Sequence, residues 1–267
     1  MDHCKNLQKE NNLYFDDAIW IPFVSKKNRI AFFLKFYSKV GRICKWSYKI
    51  SVGNSFLGNF AKRFNSNVVL IPTVVNTKDV HNRIQQHETD KPVVGWTGSF
   101  STLKFLDLIL PVLQRLQEKY DFNFIVIADQ DPRLALKNYR FIKWNRHTEA
   151  DDLLNIHIGL MPLYDDEITK GKCGFKAIQY MSLGIPPVVS GVGVNPEIVE
   201  DGIDGFVCHT NNDWEMKLEI LLNDKEKRKE MGRHARNKII NRYSVEATKD
   251  KFLRLFTEDS ISTAINN

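Results

Sequence analysis

From Lys91 onward the chain alternates short β-rich runs with amphipathic helical patterns, and this alternation restricts its fold more than any other feature. Strands separated by helices pair in parallel, because a parallel pair needs a long crossover, and the helices then cover the faces of one sheet. The pattern predicts strands at 93–98, 122–129, 140–144, 156–163, 187–190 and 205–208. Helices are predicted at 103–120, 149–155, 174–183, 214–222, 225–241 and 245–256. A further short helix opens with Asn195 as N-cap and Pro196 at the first helical position, and stops before Gly202. Together these make one complete doubly wound domain.

The first ninety residues read differently. Two strands, at 47–53 and 68–71, bracket a helix at 55–64, and a basic amphipathic helix is predicted over 28–46. Two strands do not make a doubly wound domain, so this region is expected to be a partial one. The polar, turn-rich stretch 72–91 reads as the connection between the two parts.

Charge divides the chain the same way. Between Ala18 and Lys78 there are eleven Lys or Arg and no Asp or Glu, although the whole chain carries only +6. Such a block suits an anionic partner, either a membrane surface or nucleic acid, and equally suits a solvated basic face. Ile30, Phe33, Leu34, Tyr37, Val40 and Ile43 recur at helical spacing with lysines and arginines between them, the pattern of an interfacial helix or of one packed on its own domain. The first ten residues are polar, and no spanning segment or signal peptide is expected. Cys4, Cys44, Cys173 and Cys208 are scattered, which suits a reducing cytoplasm and no structural metal.

In an open α/β sheet, ligands bind beyond the carboxyl ends of the strands, and phosphates sit at helix N-termini. Three loops meet that description. Gly95 to Ser99 forms a small-residue turn after a strand and is followed by Lys104. Lys172, Lys176 and Gln179 fall at i, i+4 and i+7 near a helix start, with Phe175, Ile178 and Met181 opposite. Two cations there oppose the helix dipole, so a bound anion would resolve the conflict; two solvated lysines on an ordinary helix are the plain alternative. Ser190 to Glu197 carries two glycines that let backbone approach a ligand.

The run Gln-Tyr-Met-Ser-Leu-Gly-Ile-Pro-Pro-Val-Val-Ser from Gln179, followed by Gly-Val-Asn-Pro-Glu-Ile-Val to Val199, resembles the donor-site signature of glycosyltransferase family 4 (group 1). The resemblance extends back through 93–116, forward through Asp201-Gly202-x-x-Gly205, and over 50–76, where it is similar to the end of that family's acceptor domain. It implies a GT-B fold, α/β in class: one complete doubly wound Rossmann-like domain plus a partial N-terminal Rossmann-like domain. The implied boundaries are an acceptor-side remnant at 1–77, a linker at 78–91, a donor-binding domain at 92–243, a helix crossing back at 244–258 and a flexible tail at 259–267.

The resemblance further implies a retaining transfer of a sugar from a nucleotide diphosphate sugar to a polysaccharide or glycolipid acceptor, with no cofactor or metal. Gly98, Ser99, Lys104, Lys172, Gly174 and Lys176 would hold the donor diphosphate, and Gln179, Trp144 and His147 the ribose and base. No catalytic residue is assigned. The family's paired glutamates are matched by Gly171 and Gln179, and its phosphate-binding arginine by Ser99. The family's glycine-rich first loop has no match here, so a second chain supplying it is an expected partner. The alternative is an inactive nucleotide-binding fragment or subunit; a nucleic-acid binder lacks any recognised module. The expected location is the cytoplasm, with the basic segment on the inner face of a membrane.

Overall fold

The computed structural model describes residues 11–22, 37–89 and 91–256. Its first unit is a three-stranded parallel sheet in the order β1 (Asn12–Phe15), β2 (Lys49–Val52), β3 (Val68–Leu70). Helix α1 (Lys39–Trp46) precedes β2, and α2 (Ser55–Lys62) joins β2 to β3. Alternation turns Phe15, Ile50 and Val52 to one face, where Val40 and Cys44 of α1 and Leu57 and Ala61 of α2 close a small core. Trp20 stacks flat on Phe60, ring centroids 3.7 Å apart.

Strand β1 was not expected. Only Leu13 and Phe15 of its four residues face the core, too few for a period-2 signal beside a polar start. The expected basic helix is described only over its last turns, since 28–36 lie outside the described residues. In those turns the apolar side is already used, because Val40, Gly41 and Cys44 are buried in the unit's own core. Val40 therefore does not face a membrane, whereas Ile43 and Trp46 are exposed.

The second unit is a six-stranded parallel sheet of β4 (Val93–Gly98), β5 (Asn123–Ala128), β6 (Tyr139–Lys143), β7 (Ile158–Met161), β8 (Pro187–Ser190) and β9 (Phe206–Cys208). Their order is β6-β5-β4-β7-β8-β9, the doubly wound arrangement in which the winding reverses between β4 and β7. After β4 the predicted helix is split into a 3-10 segment (Phe100–Leu108) and α3 (Leu110–Lys119). Pro111 is the cause: it offers no N–H, and its ring would clash with the carbonyl four residues back. The unit continues through α4 (Glu149–Leu153), α5 (Glu167–Lys170), α6 (Phe175–Ser182), α7 (Asn195–Ile198), α8 (Asn211–Asn223) and α9 (Lys225–Lys238). The N-cap of α7 is Val194, one residue before the expected Asn195, whose side chain instead donates to the Ser190 carbonyl at 3.0 Å.

At the reversal, β4 and β7 pair only through Val94–Ile158 and Gly95–Gly159 and then part. Tyr180 of α6 fills the gap. Its hydroxyl accepts from the Thr97 amide at 2.9 Å and donates to the Leu160 carbonyl at 3.3 Å, satisfying backbone that the parting strands leave unpaired. Gly159 makes room for it, since a Cβ there would lie 2.3 Å from the Tyr180 ring.

The stretch read as a linker is bound along the second unit. Arg236 donates to the carbonyls of His81, Ser182 and Thr77, Arg228 donates to that of Thr89, and the Gln85 amide bonds the Leu183 carbonyl. Helix α9 ends at Lys238 in a π-turn (Ile239–Tyr243) rather than running on to 241, and Ser244 then caps α10 (Val245–Leu253) by accepting from the Ala247 amide. Beyond α10 the chain returns to the first unit, where Asn12 and Lys49 donate to the carbonyls of Leu255 and Arg254. The tail expected at 259–267 lies outside the described residues.

Candidate functional site

Helix α6 sets the site, because Tyr180 pins it at the point where β4 and β7 separate. Its N-terminus follows Gly174, whose φ of +69° is a left-handed value that suits glycine. A Cβ at Gly174 would also lie 2.1 Å from Ile198 of α7. The first turn contains no acidic residue. Its open N–H groups and the dipole therefore face the crevice with no intrahelical counter-charge.

Lys176 lies in that first turn, half-buried, with its ammonium 5.5 Å from the centre of the Trp96 ring. Burial, and then the neighbouring charge of Lys172, push its pKa down to about 8. Lys172 is not on the helix as its spacing suggested, but in the loop between α5 and α6, where its amide bonds the Thr169 carbonyl at 3.0 Å. Asp166 and Thr169 cap the start of α5, which leads into that loop, through a reciprocal capping box, with the Thr169 amide 2.8 Å from Asp166 Oδ1. The loop after β8 backs it, and Gly193, at φ +58°, approaches the Lys170 backbone so closely that a Cβ would lie at 3.1 Å.

The first unit supplies the opposite wall. The Asn54 side chain caps α2 by accepting from the Leu57 amide and donates to the Lys172 carbonyl at 3.0 Å. Cys173 Sγ donates to the Asp16 carbonyl at 3.1 Å, and Asp17 Oδ1 sits 3.6 Å from Lys172 Nζ. Gly171, where a side chain was missing from the expected glutamate pattern, has no room for one: a Cβ would lie 2.6 Å from that of Ala18.

Two cavities result. A cleft of about 530 Å³ runs between the units, with Lys104, Thr102, Thr169 and Lys172 among its polar lining and Ile19, Ile21, Val40, Phe105 and Ile168 among its apolar lining. A smaller pocket of about 280 Å³ lies over the start of α6, lined by Thr73, Met161, Gly174, Phe175 and Lys176. Asp17 and Lys172 line both.

Of the expected phosphate-binding residues, Lys172 is shared by the two cavities, with Lys104 on the cleft and Gly174 and Lys176 in the smaller pocket. Gly98 and Ser99 lie just behind them: Ser99 precedes the 3-10 segment, and a Cβ at Gly98 would strike the Trp96 ring at 2.5 Å. Gln179 departs from its expected exposed face. Helix α6 is covered by the sheet on one side and by α9 and the π-turn on the other, so Gln179 is buried while Phe175, assigned to the apolar stripe, is exposed to the pocket. The Gln179 Nε2 finds no hydrogen-bond partner. Trp144 and His147 stand apart, exposed beyond the carboxyl end of β6, two strands from β4, with Trp144 Nε1 donating to Glu149 at 2.9 Å. Sequence reasoning missed Asp17, Thr102, Asp166 and Thr169. Asp166-x-x-Thr169 was readable as a capping box, and Asp16–Asp17 are the last acids before the basic block.

A family model for glycosyl transferases group 1 matches residues 77–238. An uncharacterised glycosyltransferase of Methanocaldococcus jannaschii is 25% identical over 171 residues, which cover 61% of this chain and 47% of that protein. The chain spans less than half the length of the curated relatives it matches. Among solved structures, a TarM variant from S. aureus in complex with fondaparinux, α-GlcNAc-glycerol and UDP superposes with a TM-score of 0.69 at 22% identity, over 84% of this chain and 47% of that one. HepE from Anabaena in complex with UDP and glucose gives 0.68 at 14% identity, over 92% of this chain and 71% of that one. These likenesses establish the GT-B architecture of two Rossmann-like units. The family match covers the reversal of the sheet, the lysine loop and helix α6 together, and the chain belongs to the glycosyl transferases group 1.

Proposed function

We propose that this chain binds a nucleotide diphosphate sugar at the start of α6 and takes part in transferring the sugar, with retention, to a polysaccharide or glycolipid acceptor. The observation that carries the reading is the set of Lys172, Lys176 and the acid-free N-terminus of α6 at the reversal of the sheet. In such a transfer negative charge grows on the departing diphosphate while the sugar becomes oxocarbenium-like. Prearranged ammonium groups and helix N–H groups stabilise that charge without a metal ion. Lys104, on the 3-10 segment after β4, shares the larger cleft with Lys172. Gln179, with a buried amide lacking a partner one turn below Phe175, is the proposed ribose contact.

Calorimetry with UDP and GDP tests the reading. A charged hydrogen bond is worth roughly 1.5–3 kcal/mol, so Lys172→Ala should weaken binding by about 10- to 150-fold. Absence of binding by either nucleotide at millimolar concentration overturns it.

Two partners complete the proposal. Among the described residues the outer edges of β1 and β3 pair with no further strand, which supports a second chain extending that sheet. Exposed Ile43 and Trp46, with Arg42 and Lys45 beside them on α1, support contact with an anionic membrane surface. Sedimentation with anionic vesicles at low salt should retain more protein than neutral ones.

A further inference from the structure

We propose that Asp17 is a specificity-determining residue for the transferred sugar, paired with Lys172 until the donor arrives and then accepting the sugar's hydroxyls. The inference rests on the donor-site reading above and adds a residue from the opposite unit. Asp17 is held in place by both neighbours. On one side the Asp16 carbonyl accepts from Cys173 Sγ, and on the other Ala18 packs against Gly171 so closely that a Cβ there would lie at 2.6 Å. The carboxylate itself is more than half exposed, and its approach to Lys172 is long, at 3.6 Å. The pair is thus loose while its backbone is fixed.

Charge explains why it sits there. Lys172 and Lys176 repel each other, no acid of α6 offsets them, and Asp17 is the carboxylate that favours the Lys176 charge. A diphosphate brings more negative charge than one carboxylate and draws Lys172 away from it. Asp17 and Lys172 line both the pocket over α6 and the larger cleft. A sugar joined to a phosphate on one side of this boundary has to pass the carboxylate. An ionised carboxylate only accepts hydrogen bonds, and sugar hydroxyls donate them. Asp166, the other carboxylate on the cleft wall, already accepts from the Thr169 amide and hydroxyl, and Asp16, at the smaller pocket, is engaged by the Tyr14 hydroxyl. Asp17 is left to read the sugar.

The test is calorimetry of wild type and Asp17→Asn with UDP and GDP, and with UDP-glucose, UDP-N-acetylglucosamine and GDP-mannose. A plain nucleotide only competes with Asp17, so Asp17→Asn should bind it several-fold more tightly. The advantage of the best sugar nucleotide over its parent diphosphate should fall about tenfold, the scale of one charged hydrogen bond. Equal changes for nucleotide and sugar nucleotide, or no change in either, overturn this inference and leave the donor site standing. Failure of wild type to bind any of them overturns both.

Discussion

The two units share one construction rule, parallel strands with helical crossovers, and differ in how far each supports itself. The six-stranded unit has a main core of 21 buried residues and two further clusters. Among the described residues the three-stranded unit has nine, and one of them, Cys173, belongs to the other unit. Asn54 reaches across to Lys172, and Asn12 and Lys49 hold the chain beyond α10. A small sheet buries too small a fraction of its surface to be stable alone, so it borrows. The difference teaches that the cleft wall supplied by the first unit depends on the second, and not the reverse.

The largest test of that asymmetry is a pair of core truncations. Leu113 and Leu57 are both fully buried, and Leu→Ala at such sites costs about 2–5 kcal/mol. Leu113→Ala should lower the denaturant midpoint of the whole protein, whereas Leu57→Ala should bring out an earlier transition and leave the later one in place. A single cooperative shift in both variants would break the comparison.

Acid should separate the units next. His87 and His157 are buried, their rings 5.7 Å apart, where the stretch 72–91 meets the second unit, and burial pushes both pKa values down to about 4. The unfolded chain binds these protons near pH 6.5 and the folded one near 4, so stability is full above 6.5 and drains as pH falls between those values. The full loss, reached below pH 4, is roughly 3–4 kcal/mol per histidine. Residues 11–75 contain no histidine, so thermal melts from pH 7 to 5 should move the later transition and leave the earlier one nearly fixed.

Asn54→Ala removes the α2 cap and the bond to Lys172, at about 1–3 kcal/mol together. It should lower the earlier transition alone. The smallest effect is on binding: in the proposed donor site a diphosphate is held by the charged form of Lys176, whose pKa burial lowers to about 8. Affinity measured by calorimetry should therefore fall as pH rises above 8, by at most tenfold per unit, or about 1.4 kcal/mol.

The six-stranded sheet was legible because its central strands are buried on both faces and read as largely apolar runs, as at Asn123–Ala128 and Ile158–Met161. Strand β1 was not, because its outward residues are polar and its length is four. The lysine loop was legible by position but not by geometry. Lys172 and Gln179 were placed by helical spacing, while Gly174 starts the helix after Lys172 and packing from both sides encloses Gln179. Asp17 was invisible as a site residue, since nothing local ties it to a loop more than 150 residues away.

Cys173 gives the joint between the units a chemical signature. Its thiol is buried between Gly53 and Asp16, and desolvation pushes its pKa to about 12. Only the thiolate is alkylated at a useful rate, so this sulfur is silent while the units stay closed. A parting of the walls would hydrate it and return it towards ordinary reactivity. With Cys4, Cys44 and Cys208 changed to serine, the rate of Cys173 alkylation becomes a clock that counts openings of the cleft, and a ligand that holds the walls together should slow it.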